Sequence, residues 1–143
     1  MGTTNYENTF ITVAPDCPVT AAVVPPERAN PTVVARTHAL ISEHPYELTS
    51  DDVLFTVHAD RNAIAEADRE SARTEFFAAD RACLRSSDLG KKYGWGVHSD
   101  ARSRVALHAL GSATYDALAR GESPDGTGTA VTVRPAMRSS RAR

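Results

Sequence analysis

The residues best suited to chemistry in this sequence fall within one segment of fourteen residues, 85–98. They are cationic, phenolic or imidazole side chains together with the single tryptophan: Arg85, Lys91, Lys92, Tyr93, Trp95 and His98. Cations that share a concave surface bind carboxylates or phosphates, and arginine does so through two parallel hydrogen bonds. We therefore expect a small anionic ligand to bind near Arg85, Lys92, Tyr93, Trp95 and His98. A solvated charged surface is the simpler interpretation.

A catalytic function is the main alternative to simple binding. His98 could act as a general acid or base, because imidazole titrates near neutral pH. Either cysteine is a candidate nucleophile: Cys17 lies in a proline-rich segment, and Cys83 is two residues from Arg85, whose charge favours a thiolate. Isolated cysteines are also common as small buried apolar residues, so both interpretations stay open.

The five histidines and two cysteines do not form a recognisable metal or cofactor motif. HExxH and CxxC are absent, and so are glycine-rich phosphate loops and the GxSxG serine motif. If His98 and His108 lie about four residues apart along neighbouring strands, roughly 13 Å separates them, which is too far for one ion. We therefore predict no metal and no cofactor, and any enzyme activity would be metal-independent.

Basic residues accumulate at the end of the chain. The net charge is −2, yet residues 134–143 contain four arginines and no acidic residue. Arg138 is a candidate lid over an anion site, and the whole tail is a candidate interaction segment. Because so few cations without an aromatic residue give weak, salt-sensitive contacts, we do not expect nucleic acid as a partner. Nothing in the pattern specifies an oligomeric state.

Length and hydropathy are those of an ordinary single domain. The chain has 143 residues, of which 41% are hydrophobic and 24% charged, close to average globular composition. No apolar run approaches the roughly 18 residues that cross a bilayer, and the first ten residues lack the features of a signal peptide. We expect a cytoplasmic protein without membrane association, in which Cys17 and Cys83 stay reduced.

Periodicity and capping signals predict the elements that position these residues. A strand is expected over residues 6–14, followed by a proline-rich connector over 15–31. Helices are expected from Asn30 as N-cap to Pro45, after the capping box of Thr49, over 65–79 and over 112–120. A short helix capped by Ser87 should end before Gly94, and "ACLRSS" (82–87) alternates like a strand.

A β-hairpin is expected from residues 95–99 and 104–110. If Val97 faces Val105, one face carries Trp95, Val97, Val105 and Leu107 and faces the core. The other face then carries His98 and His108, with Gly96 beside Ala106 between them. This arrangement predicts a shallow trough with a histidine towards each end. Close packing of a helix over the two small residues is the alternative.

These elements predict an α+β fold. We expect one domain over residues 1–133, with a small antiparallel sheet of about four strands, built from the first segment, "ACLR" and the hairpin, and with helices packed on one side. Residues 134–143 are expected to form a basic C-terminal tail.

Several long segments also carry a resemblance. "NTFITVAPDCPVTA", "HPYELTSDDVLF", "CLRSSDLGKKYGWGVH" and "AMRSSRA" resemble an uncharacterised family of small bacterial proteins that is known only as a domain of unknown function. The resemblance runs from about Tyr6 to Ala142, and it implies no activity. It does imply that the tail belongs to the family pattern and docks on the domain.

Overall fold

The computed structural model describes residues 2–138 of the 143-residue chain. In this part of the chain, the helices are α1 (Val33–Glu43), α2 (Ser50–Arg61), α3 (Arg69–Phe76), α4 (Asp88–Lys92) and α5 (Ala113–Ala119). The strands are β1 (Thr9–Thr12), β2 (Trp95–Ser99), β3 (Val105–Ala109) and β4 (Thr132–Pro135). None of these helices combines the length and the apolar character that a bilayer span requires. The predicted α+β fold is confirmed.

The four strands form one open mixed sheet in the order β3, β2, β1, β4. β2 and β3 form the predicted hairpin, and β1 lies antiparallel to β2. β4 lies parallel to β1, with Thr132 opposite Thr9 and Pro135 opposite Thr12. The sheet is therefore not wholly antiparallel, because its last strand reaches β1 through a long connection after α5 and runs in the same direction.

The prediction of a strand at "ACLRSS" is wrong. Leu84–Ser86 form a 3₁₀ turn, in which the Ser86 amide donates to the Cys83 carbonyl at 3.0 Å. Leu84 is buried in the core from this turn. The short alternation of small and apolar residues suits such a turn as well as a strand, so periodicity over six residues does not separate them. The fourth strand is β4.

Apolar clusters lie on both faces of the sheet. One face, with Ile11, Val97 and Val105, packs against α1 and α4, and α2 packs on α1. The other face packs against α5 through Phe10 and Tyr115. Helices thus cover both faces of the sheet, whereas the sequence predicted helices on one side only. The cause is in β1, where the consecutive residues Phe10 and Ile11 point to opposite faces and both are apolar.

Capping residues explain where the helices begin. α2 starts with the predicted capping box, in which the Thr49 hydroxyl accepts from the Asp52 amide and the Asp52 carboxylate accepts from the Thr49 amide, both at 3.1 Å. Ser87 caps α4 and Ser112 caps α5. α1 begins later than predicted, because the side chain of Thr32 provides its N-cap.

The domain boundary predicted between residues 133 and 134 falls inside β4. Ala136 follows the strand and is buried among the residues of the α1 side, and its amide donates to the Thr12 carbonyl at 2.8 Å. The Met137 amide then donates to the Arg85 carbonyl. The first part of the predicted tail is therefore built into the fold, and residues 139–143 lie outside the described residues.

Candidate functional site

The site is organised by Tyr46, which follows Pro45 at the end of α1. The Tyr46 amide donates to the Val105 carbonyl at 2.9 Å, and the Val105 amide donates to the Leu48 carbonyl at 2.8 Å. These bonds hold the segment against β3 and keep Tyr46 at φ 58°, in the left-handed region. Non-glycine residues in this region are uncommon and are often found at functional sites.

Two histidines of the hairpin lie on the face that Tyr46 approaches. In the observed register His98 is opposite Ala106 and His108 is opposite Gly96. The two histidines are therefore diagonal neighbours, with ring centroids 6.2 Å apart. The separation of roughly 13 Å predicted from sequence is wrong, because Val97 faces Leu107 and not Val105. The predicted division of the hairpin into two faces still holds, since the register differs by an even number of residues.

A single phenol connects the two imidazoles. The Tyr46 hydroxyl lies 2.8 Å from His98 Nδ1 and 2.9 Å from His108 Nε2. The hydroxyl has one proton, so between two neutral imidazoles it donates to one ring and accepts an N–H from the other. The protonation of His98 is thus linked to that of His108. We call this group the Tyr46 bridge.

The surroundings keep all three members of the Tyr46 bridge uncharged at neutral pH. Burial raises the pKa of Tyr46 to about 12, and the charges of Asp100 and Asp125 act in the same direction. Burial, followed by the nearby His98, lowers the pKa of His108 to about 4. Burial also lowers the pKa of His98, although the same two carboxylates oppose this shift. Neutral imidazoles can accept protons, but the lowered pKa values mean that the group would pass a proton on and not hold it at neutral pH.

Two adjoining cavities lie beside the Tyr46 bridge. The first has a volume of about 400 Å³, and its polar lining is formed by Tyr46, His98, Asp100, His108, Ser123 and Asp125. The second, of about 390 Å³, shares most of these residues and extends to Asn8, Arg102, Arg104 and Thr129. Both volumes suit a small metabolite. Carbon atoms form most of the surface of the first cavity, whereas the surface of the second is mainly polar. A small ligand with polar groups and a short apolar part fits the two cavities best.

One nitrogen of the Tyr46 bridge lacks a hydrogen-bond partner among the described residues. His98 is 4% exposed, and its Nε2 is buried without a hydrogen-bond partner among residues 2–138. Buried polar atoms nearly always have a partner, and an exception calls for an explanation such as a ligand. Across the described residues, no group of three or more His, Cys, Asp or Glu side chains is placed to hold a metal ion.

The residues predicted to bind an anion are not brought together. Trp95 lies on the α1 face, where its indole N–H donates to the Val23 carbonyl at 2.9 Å and its ring contacts His38. Tyr93 packs against the same apolar cluster. His98 lies on the opposite face of β2, as the hairpin pattern predicted.

The predicted cations lie elsewhere again. Arg85 donates from Nε to the Pro135 carbonyl at 2.8 Å, so it holds the end of β4. Lys92 is exposed in the last turn of α4. Arg138 follows Met137 on the Arg85 side and does not line either cavity at His98. The basic residues that do line the second cavity are Arg102 and Arg104.

The two candidate nucleophiles are separate from the Tyr46 bridge. Cys83 lies 3.4 Å from the Tyr6 hydroxyl and lines a different cavity of about 260 Å³. Cys17 follows β1, and its amide donates to the Ala14 carbonyl. Both are free thiols, and within residues 2–138 neither is hydrogen-bonded to a histidine.

Sequence reasoning did not single out Tyr46, Asp100 or Asp125. The signal for Asp100 was its position in the hairpin loop, where Oδ1 accepts from the Arg102 and Arg104 amides. Asp125 lies in a loop rich in glycine, serine and threonine, a composition typical of flexible connections, which does not indicate a site. Tyr46 follows a helix-ending proline, and no pattern indicated that its side chain reaches β2.

The fold and this site define a class: a single-domain α+β protein in which a tyrosine bridges two histidines beside a polar cavity. The model of a family of unknown function, DUF6157, matches residues 1–142, and the chain belongs to this family. The resemblance seen in the sequence is confirmed by this match. No match was found among curated proteins or solved structures.

Proposed function

We propose that the protein binds a small polar metabolite in the cavities beside the Tyr46 bridge and acts on it as a metal-independent acid–base catalyst. One observation carries this proposal: the Tyr46 hydroxyl lies within hydrogen-bond distance of both His98 and His108. A phenol bonded to two neutral imidazoles is an arrangement for moving a proton.

His98 is the group that would accept a proton from the ligand. When His98 carries its proton on Nδ1, its Nε2 is free to accept one. Because this nitrogen is buried, the transfer requires a side-chain movement that lets the ligand reach it. Nδ1 then passes its proton to the Tyr46 oxygen, Tyr46 passes its own proton to His108 Nε2, and His108 releases its Nδ1 proton to solvent. One proton leaves the ligand and one enters solvent, so all three residues end uncharged.

An anionic group on the ligand is supported by the basic residues of the second cavity. Arg102 and Arg104 are exposed, line this cavity and have no ion-pair partner among the described residues. Arginine binds carboxylates and phosphates through paired hydrogen bonds. The predicted small anion is therefore placed here in our proposal, in contact with His98 but not with Arg85 or Lys92. The free thiols suit a bacterial cytoplasm as the setting.

Nuclear magnetic resonance of protein labelled with ¹⁵N-histidine tests the proposal. Long-range ¹H–¹⁵N spectra should show His98 and His108 neutral at pH 7, with one ring donating to Tyr46 and the other accepting from it. Tyr46→Phe should abolish this relation. A panel of small organic acids, amino acids, sugars and nucleosides is then added, and at least one compound should shift the His98 resonances. The affinity of His98→Gln for that compound should be about tenfold or more weaker than that of the wild type.

His44→Gln is the matched control, because His44 is exposed and paired with Glu47 at 3.8 Å. It should bind the same compound with unchanged affinity. Binding of a compound that leaves the His98 and His108 resonances in place would contradict the proposed site. Two imidazoles that titrate independently near pH 6.5, as in a peptide, would contradict the Tyr46 bridge.

A further inference from the structure

Two carboxylates at the cavities have no cationic partner. Asp100 and Asp125 line both cavities, and neither forms an ion pair with a lysine or arginine among residues 2–138. Arg102 and Arg104 follow Asp100 in the chain and line the same cavity, yet their guanidinium groups do not neutralise it. The site therefore holds charges of both signs that are not paired with each other.

Each carboxylate is held by one of its two oxygens. Asp100 Oδ1 accepts from the Arg102 and Arg104 amides at 2.8 and 2.9 Å. Asp125 Oδ1 accepts from the Ser123 hydroxyl and from the amide and hydroxyl of Thr127, at 2.7, 2.9 and 2.7 Å. These bonds fix both side chains and leave the Oδ2 oxygens for a ligand.

Both carboxylates are close enough to act on the Tyr46 bridge. Their charges disfavour a phenolate at Tyr46 and favour protonation of His98. The first cavity contains these two acidic residues and no lysine or arginine, so a positive charge is favoured there. His98 lines both cavities, and its buried Nε2 has no partner among residues 2–138. A polar group of the ligand would complete this wall.

We propose that the ligand is a small zwitterion, whose ammonium group lies between Asp100 and Asp125 and whose carboxylate lies against Arg102 and Arg104. This inference rests on the proposed function and adds the charge pattern of the ligand. Charge-assisted hydrogen bonds at both ends would place the atoms between them beside His98. An amino acid has this charge pattern and fits a cavity of about 400 Å³.

Matched compounds test the charge pattern by calorimetry. The panel consists of amino acids, of the amines that lack the carboxylate, and of the acids that lack the amine. We expect an amino acid to bind more tightly than both of its counterparts. Asp125→Asn keeps an oxygen for the Thr127 bonds but removes the charge. Because Asp125 is exposed, the substitution should weaken binding of that amino acid by a few-fold, up to about tenfold. Asp68→Asn, a substitution of an exposed residue outside both cavities, should have no effect.

The possible outcomes separate the two proposals. An acid that binds as tightly as its amino acid, with equal affinity for the wild type and for Asp125→Asn, would overturn the zwitterion while leaving the Tyr46 bridge as the site. Failure of every amino acid to bind would also overturn it. If amino acids bind but the His98 resonances do not move, both proposals fail. Thermal unfolding of each variant confirms that it is folded.

Discussion

On the face of the sheet covered by α1 and α4, Ile11, Val97 and Val105 are at most 2% exposed and belong to one apolar cluster. The next residue after Val97 is His98, which lies on the opposite face. It is similarly buried, at 4% exposed, but it is hydrogen-bonded to the Tyr46 hydroxyl beside a cavity. The two faces therefore differ in chemistry far more than in burial.

Both faces use apolar packing for stability, but the α5 face also contains the buried polar group of the Tyr46 bridge beside the cluster of Phe10 and Tyr115. Apolar packing on the α1 side leaves little room, and each side chain there lowers the free energy of the folded state. The Tyr46 bridge buries His98, partly buries Tyr46 and His108, and contains a left-handed backbone conformation at Tyr46 and a nitrogen without a partner among residues 2–138. Such features are costly and are typical of sites kept for function.

The largest effects on the free energy of unfolding are expected at Phe10 and Ile11, the consecutive residues of β1 that point to opposite faces. Ile11→Ala should lower the free energy of unfolding by about 2–5 kcal/mol, and Phe10→Ala by about 3–5 kcal/mol, because each leaves a cavity in a packed cluster. Phe10 also contacts Tyr115 and His108, so only Phe10→Ala should shift the His108 resonances. Urea unfolding and ¹⁵N-histidine spectra measure both. A shift of His108 in Ile11→Ala would show that the two faces are not independent.

A smaller effect is expected at Gly96, where β2 meets Phe10 and Tyr115. A Cβ atom here would lie 2.7 Å from Phe10 Cε1 and 2.8 Å from Tyr115 Cε2, closer than van der Waals contact allows. Gly96→Ala should therefore cost about 1–3 kcal/mol through overpacking, although alanine usually suits a strand better than glycine. Gly111→Ala, where nothing lies within 4 Å but φ is 90°, is a control for backbone strain alone. An unchanged urea midpoint for Gly96→Ala would contradict the close packing of this face.

Much of the fold could be predicted because its signals are local. Thr49 and Ser87 cap the helices that they were expected to cap, and the hairpin alternates as its sequence indicates. β4 was missed because all four of its residues are exposed, so no alternation marks it. Its partner β1 is more than a hundred residues away, and nothing local predicts such a pairing.

The site was only partly predictable for a related reason. His98 was a candidate, but its relation to His108 depended on a hairpin register that an apolar pattern leaves open by two residues. Tyr46 reaches the histidines through a left-handed backbone conformation and through bonds to Val105, which are tertiary features. The cluster of charges at 85–92 was predicted from density along the chain, and density does not show which side chains converge.

The free energy of unfolding should depend on pH through the buried histidines of the Tyr46 bridge, and this can be measured without any substitution on the α1 side. Burial lowers the pKa of His108 from 6.5 to about 4 and also lowers that of His98. Between these values the unfolded chain binds more protons than the folded chain, so the free energy of unfolding should rise as pH increases from about 4 to 6.5. The contribution is complete above pH 6.5 and is lost as pH falls towards 4. Urea unfolding across this range measures it.

His108→Asn should flatten this slope. Burial also lowers the pKa values of His98 and His38, which this variant keeps, so a residual slope of the same sign should remain. The lowered pKa values of Asp52 and Asp125 act below pH 3.8, outside the histidine interval. A wild-type slope in His108→Asn would mean that the dependence arises away from the Tyr46 bridge.

The smallest loss of stability is expected from His98→Leu, although it removes the residue most important to the site. The variant loses one hydrogen bond to Tyr46, worth about 1 kcal/mol, and is relieved of a buried nitrogen without a partner, which costs about 1–3 kcal/mol. The difference between these terms lies between no change and a gain of about 2 kcal/mol, so the free energy of unfolding should not fall. Val97→Ala, one residue earlier and on the other face, should lose about 2 kcal/mol. If His98→Leu lowers the free energy of unfolding more than Val97→Ala does, the buried histidine is a structural element of the core. The distinction between the apolar α1 side and a functional Tyr46 bridge would then not hold.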